Sequence, residues 1–173
     1  MSSEVRIDNT PERDKALNVS VVLVTGFTPI DGICFLLAER TETGQMTFPG
    51  GTMEPEEIST VETATRELRE ETGLEMPISI QNELAPPIPL RRIMDDGAII
   101  DFHIFVVPLV HMCTAVTNGL DEEIGKWKFY SESQIYSGND KFRDVRWILD
   151  HIRIKAPAYF LVECALMQPR PFR

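Results

Sequence analysis

Hydrophobic positions along the chain fall into blocks with two different periods. Residues 19–25 and 32–38 are dense in Val, Ile, Leu and Phe, and Thr28-Pro29-Ile30-Asp31-Gly32 separates them, which predicts two strands joined by a turn. Phe48-Pro49-Gly50-Gly51 reads as a second turn. From about residue 60 to 72 the period changes. Val61, Ala64, Leu68 and Thr72 recur at helical spacing and predict a helix with one face docked on a core. Gly73 is placed to end it in the left-handed conformation, with Leu74 packing back on the last turn. Residues 78–84 are predicted as a strand, and Ala85-Pro86-Pro87-Ile88-Pro89 as a rigid connection. Residues 90–94 and 98–107 flank Asp95-Asp96-Gly97, a hairpin signal, and residues 126–130 predict a further short strand.

The last forty residues or so return to the helical period. Ser131-Glu132-Ser133-Gln134 marks a helix start or turn. Phe142, Val145, Ile148, Leu149 and Ile152 form an apolar stripe, with Asp140 as the expected cap. Beyond Pro157, residues 158–167 are apolar nearly all round, as in a buried helix or a subunit contact, so a homodimer is expected as a possible state. Residues 109–120 read as loop. The order of elements supports an α/β fold, a mixed β-sheet between helices.

At 173 residues the chain has the length of one ordinary domain. Residues 1–18 read as a polar N-terminal tail and 19–173 as a single domain with C-terminal helices. A formal net charge of −10 argues against a nucleic acid polymer as partner, because such partners need a basic footprint. It leaves room for a small phosphorylated ligand, since a bound cation reverses the local sign. Cys34, Cys113 and Cys164 lack C-x-x-C spacing and are expected as reduced thiols; His103, His111 and His151 lack metal-ligand spacing. The first twenty residues are polar and show no signal peptide, and the longest apolar run, residues 104–113, is too short for a membrane span. A cytoplasmic protein with no membrane partner is expected.

Charge on the first helix changes the picture most. Glu67, Glu70 and Glu71 are spaced i, i+3, i+4, within an arc of roughly 100° on one stripe. Like charges so placed repel by roughly 0.2–0.5 kcal/mol per pair. A hard divalent cation removes the conflict and leaves coordination sites open for phosphate. Glu62 precedes Arg66 by four residues, the orientation that favours a helical ion pair, and Arg66 can also reach Glu70. The stripe follows the glycine turn at Gly50-Gly51.

Gly51, Glu57, Arg66, Glu67, Leu68, Glu70, Glu71, Gly73 and Leu74 together resemble the Nudix box, G-x5-E-x7-R-E-U-x-E-E-x-G-U, where U is aliphatic. Nine fixed positions match, and one gap departs: eight residues, Ile58 to Thr65, separate Glu57 from Arg66. The extra residue is expected to lengthen the loop before the helix. The upstream run Phe35-Leu36-Leu37-Ala38-Glu39-Arg40 and the Gly44-to-Gly51 stretch also resemble the family, with Met46 where an aromatic is common. The resemblance implies an α/β/α sandwich and Mg²⁺- or Mn²⁺-dependent hydrolysis of a pyrophosphate bond. The substrate class would be a nucleoside diphosphate linked to another moiety, either a nucleoside triphosphate or an ADP-ribose-like compound. It further implies Glu67, Glu70 and Glu71 as metal shell, the Gly50 carbonyl as a further ligand, Glu57 as a ligand through water or one step removed from the metal, and Arg66 as the ion-pair partner of the carboxylates. The base is either Glu67 or a downstream glutamate, Glu122 or Glu123.

Candidate substrate contacts are Arg40, Phe48 and Arg91 (with its neighbour Arg92), and Phe102, Phe105, Trp127 and Phe129 are candidates for stacking on a base. Two other readings compete. A Nudix-like module that binds a nucleotide without cleaving it typically loses the Arg-Glu or Glu-Glu pair, and both stand here. A merely structural or calcium-binding acidic helix leaves the Gly50-Gly51 turn and Arg66 without a role.

Overall fold

The structure, a computed structural model, describes residues 16–84, 86–109 and 126–157. At its centre is strand β1 (Leu17–Thr28), in which Val21, Val22, Leu23 and Val24 are all buried. Helices cover both faces of this stretch, so its side chains are uniformly apolar instead of alternating. β1 pairs antiparallel with β2 (Gly32–Glu39) and with the short β4 (Gly50–Thr52), and parallel with β6 (Ile99–Pro108). β2 carries β3 (Met46–Thr47) and β7 (Lys128–Ser131), and β5 (Ile88–Ile93) lies on the outer side of β6. Among the described residues these make one seven-stranded mixed sheet, ordered β3-β2-β1-β6-β5 with β4 on β1 and β7 on β2.

On one face lie α1 (Thr60–Thr72) and α2 (Ile78–Glu83), where Ala64, Leu68, Leu74 and Met76 pack on Val22, Leu36 and Phe105. On the other face α3 (Glu132–Ser137), a 3-10 turn (Asp140–Phe142) and α4 (Arg143–Lys155) pack Ile135, Val145, Leu149 and Ile152 on Leu23, Phe35 and Ile104. The fold is the expected α/β/α sandwich. No helix among the described residues is long and apolar enough to cross a membrane.

Several local expectations are corrected. Residues 78–84 are expected as a strand; instead Ile78–Glu83 form helix α2, with Ile80 and Leu84 packed against the α1-side core while Ile78, which a strand would place on the same face, is exposed. β5 begins inside the proline-rich connection, at Ile88, and accommodates Pro89 because it is an edge strand. β1 begins at Leu17, inside the segment read as a tail. Asp140 is not the cap: Asn139 caps the 3-10 turn, its side chain accepting from the Lys141 N–H at 3.1 Å, and α4 continues from that turn after Phe142 without a side-chain cap of its own. The hairpin at Asp95-Asp96-Gly97 forms as predicted, closed by Met94 N–H to Ala98 O at 2.8 Å. Ser131 and Gln134 cap α3 reciprocally at 3.2 and 2.8 Å. Residues 110–125 and 158–173, including the expected loop and the apolar final segment, lie outside the described residues.

Candidate active site

Helix α1 is fixed against β1 and β4 by its ends and its apolar face. Ser59 caps it, accepting from the Glu62 N–H at 3.3 Å, and Ser20 Oγ on β1 donates to Thr60 O at 2.8 Å. At the other end Gly73 adopts φ 73°, and Trp127 Nε1 donates to Glu71 O at 2.8 Å. Ala64 and Leu68 face the core, so the acidic stripe is turned along β4. The two glycines of β4 permit this approach. A β-carbon on Gly51 would overlap the Glu67 carboxylate, and one on Gly50, at φ 153°, would overlap the Ser20 carbonyl. The Gly50 N–H donates to the buried Glu71 carboxylate at 2.9 Å.

Arg66 is the centre of the cluster. Its Nε donates to Glu57 Oε1 at 2.8 Å, its Nη1 to Glu67 Oε1 at 2.8 Å and to Glu70 Oε2 at 3.2 Å, and its Nη2 to Thr52 O at 3.1 Å. The planar fork of an arginine suits this shared contact. Glu57 also accepts from Thr63 Oγ1 and the Glu54 N–H, each at 2.8 Å. The hydrogen bond from Arg66 is the main reason its carboxyl is held at about 2, below an ordinary 4.5. Glu67 moves the other way: burial pushes its carboxyl up against the pull of Arg66.

The extra residue before the helix is absorbed in the loop, where Ile58 stands 87% exposed while Glu57 still reaches Arg66. The expected Glu62–Arg66 pair is replaced. Glu62 accepts from the Ile58 N–H at 2.8 Å, and Arg66 is committed to Glu57, Glu67 and Glu70. Among the described residues no group of three or more His, Cys, Asp or Glu side chains is already arranged to hold a metal ion, Arg66 occupying the centre of the carboxylates.

β4 is also one wall of a cavity of about 360 Å³ that opens on the α4 face of the sheet. Arg40 stands exposed at its lip, and Phe48 is buried in its floor, edge-on to Phe35 with ring centroids 6.2 Å apart. Of the four stacking candidates only Phe102 lines it; Phe105, Trp127 and Phe129 belong to the opposite, α1-side core. Arg91 lies outside this cavity, its Nε and Nη2 pairing with Asp101 at 2.7 and 2.8 Å. Its neighbour Arg92 lines the cavity with Asp144 and Trp147, because successive strand residues face opposite sides. Asp144 and Trp147 were not singled out by sequence reasoning. The available signal was their i, i+3 spacing, with His151 a turn further on, along the edge of the α4 apolar stripe. Glu122 and Glu123 lie outside the described residues.

Comparison with known proteins agrees with this geometry. The NUDIX domain family model matches residues 14–150. Among solved structures, the NUDIX domain of Shewanella oneidensis NrtR in complex with ADP ribose superposes with a TM-score of 0.60 at 13% identity, over 88% of this chain and 99% of that one. A C. elegans Ap4A hydrolase binary complex gives 0.53 at 18% identity, over 79% of this chain and 99% of that one. A MutT/nudix family protein from Enterococcus faecalis gives 0.56 at 18% identity, over 70% of this chain but 46% of that longer one, so the chain spans under half its length. No curated protein sequence matches the chain. These likenesses are likenesses of fold; the family follows from the domain match. The chain belongs to the Nudix family.

Proposed function

We propose that the chain hydrolyses a pyrophosphate bond in a nucleoside diphosphate linked to another moiety, a nucleoside triphosphate or an ADP-ribose-like compound, with Mg²⁺ or Mn²⁺ as cofactor. The observation that carries this reading is the shared wall at β4. Arg66 gathers Glu57, Glu67 and Glu70 beside it, and the cavity opens from it. The donors are of the kind a hard divalent cation takes, since Glu57, Glu67, Glu70 and Glu71 all offer carboxylate oxygens. Glu67, Glu70 and Glu71 would hold the ion, with Glu57 and the Gly50 carbonyl as further donors. When bound, it neutralises phosphate oxygens and acidifies a water.

The chain's own groups supply the rest. Arg66 keeps the carboxylates in register and lowers their mutual repulsion. The proton of the attacking water passes to Glu67 or to a downstream glutamate, Glu122 or Glu123. Phe48 and Phe102 give the cavity an apolar floor for the nucleoside, and Arg40 meets a phosphate at its lip.

Incubation with Mg²⁺ and a panel of nucleoside triphosphates, ADP-ribose, NADH, dinucleoside polyphosphates and capped RNA tests the reading. At least one member should be cleaved, and excess chelator should stop the cleavage. Tight nucleotide binding without turnover would instead make the chain a binding module of the same fold.

A further inference from the structure

A cation with one partner lines the cavity wall opposite the acid cluster. Arg92 is on the α4-facing side of β5, in line with Ile88 and Leu90. Its Nη1 donates to Asp144 Oδ1 at 3.2 Å, and its guanidinium carbon lies 5.2 Å from the Trp147 ring centroid. His151 stacks on that ring at 4.4 Å, and Phe102 tilts against it at 6.0 Å. Trp147 thereby helps to hold the guanidinium in place, since a cation over an indole face is attracted to it. Among the described residues the contact with Asp144 is the only hydrogen bond of Arg92, so most of its five N–H donors have no partner there.

The chemistry around Arg92 selects what it can bind. Asp144 already neutralises it, and a phosphate brought to the same donors would sit beside the Asp144 carboxylate. An uncharged acceptor edge meets no such repulsion. Asp144 Oδ1 also accepts from Arg143 Nε at 3.4 Å, which leaves it a weaker reader of donors than Arg92 is of acceptors. The volume is at the low end of ligand sites, which run from about 300 to 1,000 Å³, and suits one nucleoside.

We propose that Arg92 determines base specificity, donating to the neighbouring O6 and N7 acceptors of a 6-oxopurine base held in the cavity, with Trp147 as its positioning residue. A 6-aminopurine sets an N–H donor against the guanidinium in place of O6. The inference rests on the proposed reaction and ranks 6-oxopurine nucleotides above ADP-ribose-like substrates.

The test uses the intact protein and matched nucleotides: inosine against adenosine triphosphate, and guanosine against 7-deazaguanosine triphosphate. Two quantities are measured, kcat/KM with Mg²⁺ and equilibrium binding of the α,β-methylene analogues. The 6-oxo and N7-bearing members should be favoured by about tenfold or more in both. Arg92→Ala should bring both ratios close to one. Trp147→Phe should keep the preference that Trp147→Leu loses, a distinction that simple loss of packing would not make. A ratio unchanged in Arg92→Ala, or a wild-type preference for adenosine, overturns the proposal. So does an equal loss across all bases accompanied by weaker binding of inorganic pyrophosphate, which makes Arg92 a phosphate contact. The 7-deaza comparison needs no variant and decides the matter even where Arg92→Ala does not fold. Binding ratios are read without turnover, so failure of hydrolysis and failure of base selection are seen separately.

Discussion

Gly51 on β4 and Glu67 on α1 approach so closely that the glycine α-carbon leaves no room for a β-carbon beside the carboxylate. The contact joins the cavity wall to the acid cluster, since Gly51 lines the cavity and Glu67 is held by Arg66 at 2.8 Å. Gly51→Ala should therefore displace Glu67 and lower turnover by about tenfold or more, with a stability loss of about 1–3 kcal/mol from overpacking. Steady-state rates and thermal unfolding check both. Full activity with an unshifted midpoint would show that the carboxylate moves aside freely.

Glu70 is the most exposed of the three carboxylates hydrogen-bonded to Arg66, at 54%, so its loss disturbs packing little. Glu70→Gln keeps the shape and removes the charge. Turnover should fall by about a hundredfold or more, the size expected when a group acting on the reacting water or its cation is lost. Circular dichroism should match the parent. An unchanged rate would remove Glu70 from the proposed shell.

Acid stability should depend on Glu57. Its folded-state carboxyl is held at about 2 against an ordinary 4.5, chiefly by the hydrogen bond from Arg66. As pH falls between these values the unfolded chain takes up a proton before the folded one does. The stabilisation is thus complete above the higher value and is lost through the window down to the lower. Thermal midpoints of the metal-free protein, taken from about pH 6 to about pH 2.5, should fall more steeply for the parent than for Glu57→Gln. Parallel curves would sink this assignment.

Arg91 and Arg92 separate surface electrostatics from recognition. Arg91 is exposed and paired with Asp101 outside the cavity, so Arg91→Ala should leave kcat/KM within about twofold, as expected for a rim charge that is screened by salt. A tenfold loss would place substrate over the outer face of β5.

The chain by itself determined the sandwich class, helix α1 with its cap at Gly73, the hairpin at Gly97 and the acidic stripe. Each follows from a local rule, helical or strand periodicity or a turn glycine, that a few consecutive residues carry. Local signals also misled: residues 78–84 look strand-like by composition, yet packing beside α1 selects the helix, which buries Ile80 and Leu84 while turning Ile78 to solvent, whereas a strand would put all three on one face. Glu62 was similarly drawn from its i+4 partner, since Arg66 gains more from the converging Glu57, Glu67 and Glu70 carboxylates. Only the tertiary structure decided which arginine of the Arg91-Arg92 pair meets the cavity and that Asp144 and Trp147 of α4 stand beside it. That outcome depends on the pairing register of β5 on β6 and on where α4 crosses the sheet, and contacts between residues fifty positions apart leave no periodic trace in the chain.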